Sequence, residues 1–329
     1  MFRSAPNLLQ QFDGLLLDLD GCVYRGGQGI PGAVDFLIST DAKHGYITNN
    51  SSRTAEQIAQ QLVGFGISVQ PAAIFGSAQV AAKLLKKELP AGAGVLVVGG
   101  DGLRVAVEAA GFRVLSHGRD EMPAAVVQGF SPKISWEDLA EASYAVAAGA
   151  AWYASNNDWT IPLERGVAPG NGTLVSAVHT ATGTFPKYAG KPAPEIFWLA
   201  QRELGLQQPL VVGDRLDTDI RGAHAAGMPA ALVLSGIDGP KQLFAASKED
   251  RPEFILEHLG RAAEPYPELK QTKYGFRSGN AEVELLQGRL TLVNGNPGEI
   301  DVIRAACAVV WNSGLTITQI QVPEELFAR

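Results

Sequence analysis

The sequence predicts an α/β protein: a doubly wound parallel-sheet core, an inserted second α/β domain, and a small α+β piece at the C-terminal end. Two observations predict this. Short apolar runs ending in Gly, Asp or Asn alternate with longer segments of helical period, which is the sequence form of repeated βαβ units. The chain also has 329 residues, 46% of them apolar, with 37 glycines and 19 prolines, enough for about two domains with many tight turns.

The first apolar run, LLLDLD (15–20), leads through a Gly-rich turn to a helix expected over 32–43. A strand ending in ITNN (47–50) follows, then a helix over 53–64 with Ser51 and Ser52 as candidate N-caps. A second group begins near Gly94: strand 95–99, a helix through Ala110, strand 124–130, a helix opened by Ser135 with Asp138 three residues on as in a capping box, and strand 151–156. After a connector at 183–190, a third group places a helix over 193–204, a strand over 210–214, a helix over 217–226 and the strand ALVLSG. From Arg261 the style changes. EPYPE (264–268) reads as a linker, and 282–293 as a hairpin turning near Gln287-Gly288. Ile300, Ile303, Ala306, Val310 and Trp311 mark one face of a short helix, and LTITQIQV reads as a final strand.

Composition excludes several classes. Lys+Arg 27 against Asp+Glu 34 gives a net charge of -7 without basic blocks, which argues against nucleic acid or an anionic membrane as partner. The N-terminal stretch is too short and too interrupted by Gln and Asp for a signal segment, and no run of 18 apolar residues occurs. Two distant cysteines, Cys22 and Cys307, fit a reduced, cytoplasmic protein, with Cys22 read as a small packing residue.

Chemistry concentrates at strand ends. Asp18 and Asp20 close the first run and Gly21 follows at once; in a parallel sheet that edge is where ligands bind. Spacing of i, i+2 on an extended strand puts both carboxylates on one face. Two anions this close point either to Mg²⁺ between them or to one carboxyl kept protonated. Thr48-Asn49-Asn50 offers a hydroxyl and backbone N–H groups suited to a phosphoryl oxygen, although TNN is also an ordinary turn. Lys191, between Gly190 and Pro192, is suited to neutralising charge shared by a carboxylate and a phosphate; the plainer alternative is a solvated lysine. In VVGDRLDTDI, Asp214, Asp217 and Asp219 crowd six residues. That density makes Asp214 a candidate Mg²⁺ ligand, with Asp217 able to cap the next helix. VVGGDG (97–102) imitates a dinucleotide loop, but Arg104 breaks the G-x-G-x-x-G spacing. The histidines (His44, His117, His179, His224, His258) show no ligand spacing.

Taken in order, DLDG, TNN, GKP and GDxxxTD resemble the four motifs of the haloacid dehalogenase (HAD) superfamily over residues 15–236. The resemblance implies a Rossmann-like core in which Asp18 is the nucleophile that accepts the phosphoryl group and Asp20 the general acid and base. It implies that Thr48 and Asn49 bind phosphate and that Lys191 orients and neutralises. Mg²⁺ would be held by Asp18, Asp214 and the Asp20 backbone carbonyl, with Asp219 supporting these ligands from behind. An aspartate two residues after the nucleophile is similar to the phosphatase and phosphomutase branch. The helical cap of the phosphomutases does not fit the 27 residues between Asp20 and Thr48.

SNNDWTIP followed by PGNG (155–162, 169–172) resembles the signature of the nitrophenylphosphatase-like, or NagD-type, phosphatases. This implies a core of residues 1–80 and 186–260, a C2-type α/β cap at 81–185, and an appendage at 261–329. It nominates Asn156 and Asp158 as facing the substrate from the cap, against the alternative of a polar loop. The implied activity is Mg²⁺-dependent hydrolysis of a small phosphorylated metabolite through an aspartyl-phosphate. Glycerol 3-phosphate comes first, because relatives with an added C-terminal piece look like glycerol 3-phosphate phosphatases. UMP-type nucleotides, pyridoxal phosphate and 2-phosphoglycolate stay open, as does a non-catalytic phosphometabolite-binding module. The family also suggests a homodimer through the cap. The appendage resembles part of a GNAT-type acetyltransferase fold without its Q/R-x-x-G-x-G/A loop, and is read as structural or regulatory.

Overall fold

The computed structural model describes residues 6–116, 121–163 and 165–327; His117 lies outside them. The chain divides into two compact units, 1–44 with 206–329, and 45–205. Among the described residues no helix is long and apolar enough to cross a membrane.

In the first unit, strands Gly14–Leu17, Pro209–Gly213, Ala230–Val233 and Phe254–Leu256 pair in parallel, Leu17 opposite Val212 and Val212 opposite Ala231. Every residue of the first three is buried, which explains their unbroken apolar runs: a parallel strand covered on both faces has no polar side to alternate with. The helix expected over 32–43 is only Ala33–Ser39. That expected over 217–226 splits into a π turn, Leu216–Ile220, and a short α-helix, Arg221–Ala225, the kind of irregularity that collects at functional positions.

Residues 269–294 form a four-stranded antiparallel meander, Leu269–Gln271, Gly275–Ser278, Ala281–Leu286 and Arg289–Asn294. The hairpin turns at Gln287 and Gly288, both at positive φ (49° and 76°), as a tight two-residue hairpin turn demands. Helix Ile300–Asn312 is buried along Val302–Val310 rather than on one face, so the one-face pattern understated its burial. Its Arg304 donates to Ile255 O at 2.9 Å and stacks 4.2 Å from the Tyr266 ring centre, while Tyr266 accepts the Ile255 N–H. These bonds fasten the helix to the edge strand Phe254–Leu256. LTITQIQV is not a strand: Ile317–Gln319 is a 3₁₀ turn whose Thr316 and Gln319 cap one another, leaving a single bridge between Arg289 and Gln321. Threonine hydroxyls bonding locally compete with ladder pairing.

The second unit holds the parallel pair His44–Thr48 and Ile74–Gly76 and a five-stranded parallel sheet. In spatial order its strands are Lys187–Tyr188, Ala151–Ala154, Ala125–Gln128, Gly94–Val98 and Arg113–Leu115. One core of the unit packs Leu96, Val126 and Trp152 against Val146, Val175 and Val178. The capping box at Ser135 and Asp138 is present, with N–H···O distances of 3.3 and 2.8 Å. The helix after TNN starts at Ala55 and is capped by Thr54 with Gln57, not by Ser51 or Ser52. Ser51 is instead buried against the Ser155 hydroxyl at 2.8 Å. Helices Ser77–Glu88 and Asn171–Thr182 were not predicted. The second holds three Thr, two Val and one Gly in twelve residues, poor helix formers that packing of Val175 and Val178 overrides.

Candidate active site

The predicted residues fall into two clusters, one in each unit. In the first, Asp18, Asp214 and Asp219 are buried, and one carboxylate oxygen from each lies within 4.8 Å of the others. Asp18 is placed just past the end of strand Gly14–Leu17, its N–H donating to Val212 O at 2.8 Å. Asp214 follows the end of strand Pro209–Gly213, and its Oδ2 accepts the Ile237 N–H at 2.8 Å. Asp219 turns back from the π turn so that its Oδ2 accepts the N–H groups of Asp214 and Arg215, at 3.2 and 3.1 Å. Gly21, at φ 91°, lets the chain swing away directly after the aspartates, and a Cβ there or at Gly236 would collide with the Asp214 carboxylate. Three buried carboxylates with hard oxygen donors are a set that fits Mg²⁺ and is repulsive without a cation.

Asp20 differs from the sequence expectation. The strand stops at Leu17, so the two-residue period does not carry on to Asp20. Its side chain is exposed, 3.5 Å from the Tyr24 hydroxyl, and its carboxylate is not part of the buried group. A cation shared between the Asp18 and Asp20 side chains is therefore replaced by a grouping of Asp18 with Asp214 and Asp219. Cys22 is fully buried, as a packing residue would be.

The second cluster is built on Asn49. Its Oδ1 accepts the Lys191 N–H at 2.8 Å and its Nδ2 donates to Lys191 O at 3.1 Å and to Asp158 Oδ1 at 3.2 Å. Its carbonyl accepts from Asn156 Nδ2 at 2.7 Å and from the Ser77 hydroxyl at 2.8 Å. Thr48, Asn49, Asn156 and Lys191 are all buried, and Asp158 is half-buried. Thr48 Oγ1 accepts the Asn50 N–H at 3.0 Å, which tightens the turn. Asn156 Oδ1 accepts the Asp158 N–H, and the Asn156 carbonyl accepts from Asn171 Nδ2 at 2.8 Å. The structure thus ties Asn156 and Asp158 to Asn49, the residue that clamps Lys191. Sequence reading missed Ser77, Ser155 and Asn171. Asn171 lies inside the PGNG run and Ser155 opens the SNNDWTIP run, where a signal was available; Ser77 had none.

One unit thus carries buried carboxylates at the ends of parallel strands that fit a divalent cation, and the other a buried lysine and a threonine-asparagine turn, side chains of the kind phosphotransfer hydrolases of doubly wound fold employ. Residues 15–113 match the model of the haloacid dehalogenase-like hydrolases, and residues 188–262 match a second HAD-hydrolase-like model. The chain belongs to the haloacid dehalogenase superfamily. It is 39% identical over 317 residues to a D-glycerol 3-phosphate phosphatase of Mycobacterium tuberculosis, a match covering 93% of this chain and 88% of that one. It is 38% identical over 259 residues to an acid sugar phosphatase of Staphylococcus aureus, covering 77% and 98%. Among solved structures, the glycerol phosphate phosphatase of M. tuberculosis in complex with magnesium superposes with a TM-score of 0.85 at 38% identity, covering 98% and 96% of the two chains. A 4-nitrophenylphosphatase of Thermotoga maritima follows with 0.71 at 28% identity, covering 79% and 99%.

Proposed function

We propose that the protein is a Mg²⁺-dependent phosphoric monoester hydrolase of the NagD type, acting on small phosphorylated metabolites with glycerol 3-phosphate preferred. The buried group of Asp18, Asp214 and Asp219 carries the hydrolase reading. Similarity to the glycerol phosphate enzymes over nearly the whole chain, the C-terminal piece included, supports the substrate.

Asp18 attacks phosphorus and becomes an aspartyl-phosphate as the ester oxygen leaves with the proton of Asp20. Asp20 then takes a proton from water, whose oxygen attacks phosphorus and returns Asp18 as a carboxylate with release of phosphate. The exposure of Asp20 suits a group that exchanges protons with solvent. Asp18, Asp214 and the Asp20 carbonyl would hold Mg²⁺, with Asp219 holding Asp214 in place, and the ion would supply positive charge at the phosphoryl oxygens. Thr48 and Asn49 bind the phosphoryl oxygens, and Lys191 neutralises the charge that builds as they become equatorial. Residues 81–185 act as the cap over a core of 1–80 and 186–260, Asn156 and Asp158 face the substrate from it, and 261–329 serves a structural role. A homodimer through the cap is the assembly this reading favours, since Trp136 and Tyr144 stand exposed on one of its helices. The two free, buried cysteines suit a cytoplasmic location.

A phosphomonoester panel with Mg²⁺ tests the reading. Glycerol 3-phosphate is expected to give the highest kcat/KM, above nucleoside monophosphates, pyridoxal phosphate and 2-phosphoglycolate. No turnover of any member, p-nitrophenyl phosphate included, refutes the enzyme; a higher value for another ester refutes the substrate alone.

A further inference from the structure

We propose that the 45–205 unit carries a second ligand site, a pocket for a phosphorylated small molecule of nucleotide size, at the switch point of its own five-stranded sheet. Numbered by chain position, those strands run 2-1-3-4-5. The first strand, Gly94–Val98, therefore has the second on one side and the third, Ala125–Gln128, on the other. Connections that leave a parallel sheet in opposite directions open a crevice outside the carboxyl ends of the strands, where doubly wound folds bind ligands. A cavity of about 430 Å³ occupies that position, between Val98–Asp101 of the first loop and Ser131–Ile134 of the other. That volume falls in the ordinary range for small-molecule sites and far exceeds what inorganic phosphate needs. One wall is the VVGGDG run that the hydrolase reading leaves unused.

The chemistry of the walls selects an anion. Arg53, Arg104 and Lys133 face two acids, Asp101 and Asp138, in a chain whose net charge is -7. The Asp138 carboxylate is engaged by the Ser135 N–H. The Arg104 guanidinium donates to the Val97 carbonyl at 3.4 Å, and among the described residues neither Arg104 nor Lys133 has a carboxylate partner. Gln61 Oε1 accepts from Arg53 and holds its guanidinium at the wall. Two arginines and a lysine suit a phosphoryl dianion, while Pro132 and Ile134 supply apolar surface for an organic portion. The amides of Gly102, Leu103 and Arg104 do not do this work, because the first is spent on Ser52 O at 3.2 Å and the other two on Gly100 O. Departure from the dinucleotide spacing thus leaves side chains in charge of recognition.

The floor of the pocket is also the phosphate-loop segment of the same unit. Ser52 donates its N–H and its hydroxyl to Asn50 Oδ1, at 3.0 and 2.8 Å, two residues beyond Thr48. Gly100 packs on Ser52 and Gly102 on the Arg53 carbonyl without room for a Cβ. An occupant therefore presses on the turn that carries Thr48 and Asn49, and acts as an effector.

The test titrates the full-length protein in EDTA with adenosine monophosphate and with inorganic phosphate. It then follows nitrophenol release from p-nitrophenyl phosphate with Mg²⁺ and increasing adenosine monophosphate. Saturable adenosine monophosphate binding at least tenfold tighter than phosphate is expected, with a change in kcat. Arg104→Gln/Lys133→Gln should weaken that binding at least tenfold and remove the kcat effect, leaving kcat/KM without nucleotide within twofold. Lys133→Gln alone, at an exposed side chain, should weaken it at least threefold if the double variant folds poorly. Unchanged affinity in the variants, inhibition that only competes with substrate, or phosphate binding as tightly as the nucleotide overturns the proposal.

Discussion

The two clusters of candidate site residues are satisfied in opposite ways. Around Asn49 the polar atoms of the side chain and its carbonyl have protein partners: five hydrogen bonds of 2.7–3.2 Å join it to Lys191, Asp158, Asn156 and Ser77. Around Asp214 the backbone supplies a few donors, yet three carboxylates still crowd within 4.8 Å. The first arrangement is held by hydrogen bonds of the folded protein, and the second is a set of like charges that a cation would stabilise further. Repulsion among buried like charges is stability held in reserve until a metal binds, whereas a bonded amide network is stability already spent on positioning. The same substitution chemistry, removal of one polar group, should therefore act on catalysis and metal binding in one place and on folding in the other.

The largest expected effect falls on the charged cluster. Asp18→Asn keeps size and shape but loses the nucleophile, so kcat should fall by about 10⁴ or more, which corresponds to about 5 kcal/mol or more of barrier. The unfolding temperature without metal should not fall. Phosphate release measured with glycerol 3-phosphate, beside a thermal melt in EDTA, checks both halves; wild-type turnover would rule out Asp18 as nucleophile.

Metal binding should show the contrast next. At a Mg²⁺ concentration 100 times its Kd, mass action adds about 2.7 kcal/mol to the folded state, or about 4 °C for a chain of this size. Asp214→Asn should abolish that increment while leaving the EDTA melt equal to wild type or above it, since one repelling charge is gone. A melt of Asp214→Asn that still rises with Mg²⁺ would move the ion elsewhere.

The hydrogen-bonded cluster around Asn49 should respond in the other sense. Asn156→Ala deletes the donor to Asn49 O and the acceptor of the Asp158 N–H and leaves buried groups unpaired, at a cost of about 1–3 kcal/mol. The loss should be the same with and without Mg²⁺ in denaturant titrations. A loss confined to the metal-loaded protein would mean that Asn156 supports the ion and not the fold.

These differences also decide what could be read from sequence. Strands were legible because parallel strands buried on both faces are written as unbroken apolar runs, as in LLL at 15–17 and LVV at 210–212. The positions of Asp18, Thr48-Asn49-Asn50, Lys191 and Asp214 were legible because each sits at such a strand end or beside a glycine or proline. Asp20 was misplaced in space because the strand stops at Leu17 and the periodicity with it. Helix Asn171–Thr182 stayed hidden because its packing, not its propensity, makes it a helix. Arg304 and Tyr266, which fasten the C-terminal helix to strand Phe254–Leu256, are partners brought together by the fold alone, and no local pattern records such a pair. The same holds for Ser77.

The smallest expected effect separates charge from repulsion. His224 and Glu253 lie in the same unit as the carboxylate cluster, 3.2 Å apart, and are charged but paired. The bond to Glu253 chiefly, then that to Glu249 O, raises the His224 pKa above its usual value, against the opposing effect of burial. Burial pushes Glu253 up, but bonds from His224 and the Ala230 N–H outweigh it, and its pKa is lowered. A raised histidine contributes stability that is full below its unfolded pKa near 6.5 and is lost as pH rises through the folded value. A lowered glutamate contributes stability that is full above its unfolded pKa, about 4.3, and is lost as pH falls through the folded value. The pair is therefore strongest at about pH 5–6. With Glu253 about half exposed, screening limits its worth to about 0.5 kcal/mol. His224→Gln should lower stability by that amount at pH 5.5 and by almost nothing at pH 9, with or without Mg²⁺, in paired urea titrations. A deficit that grows on raising the pH would reverse the sign assigned to the pair, and a deficit that follows Mg²⁺ would show that charge in this unit, paired or not, is coupled to the ion.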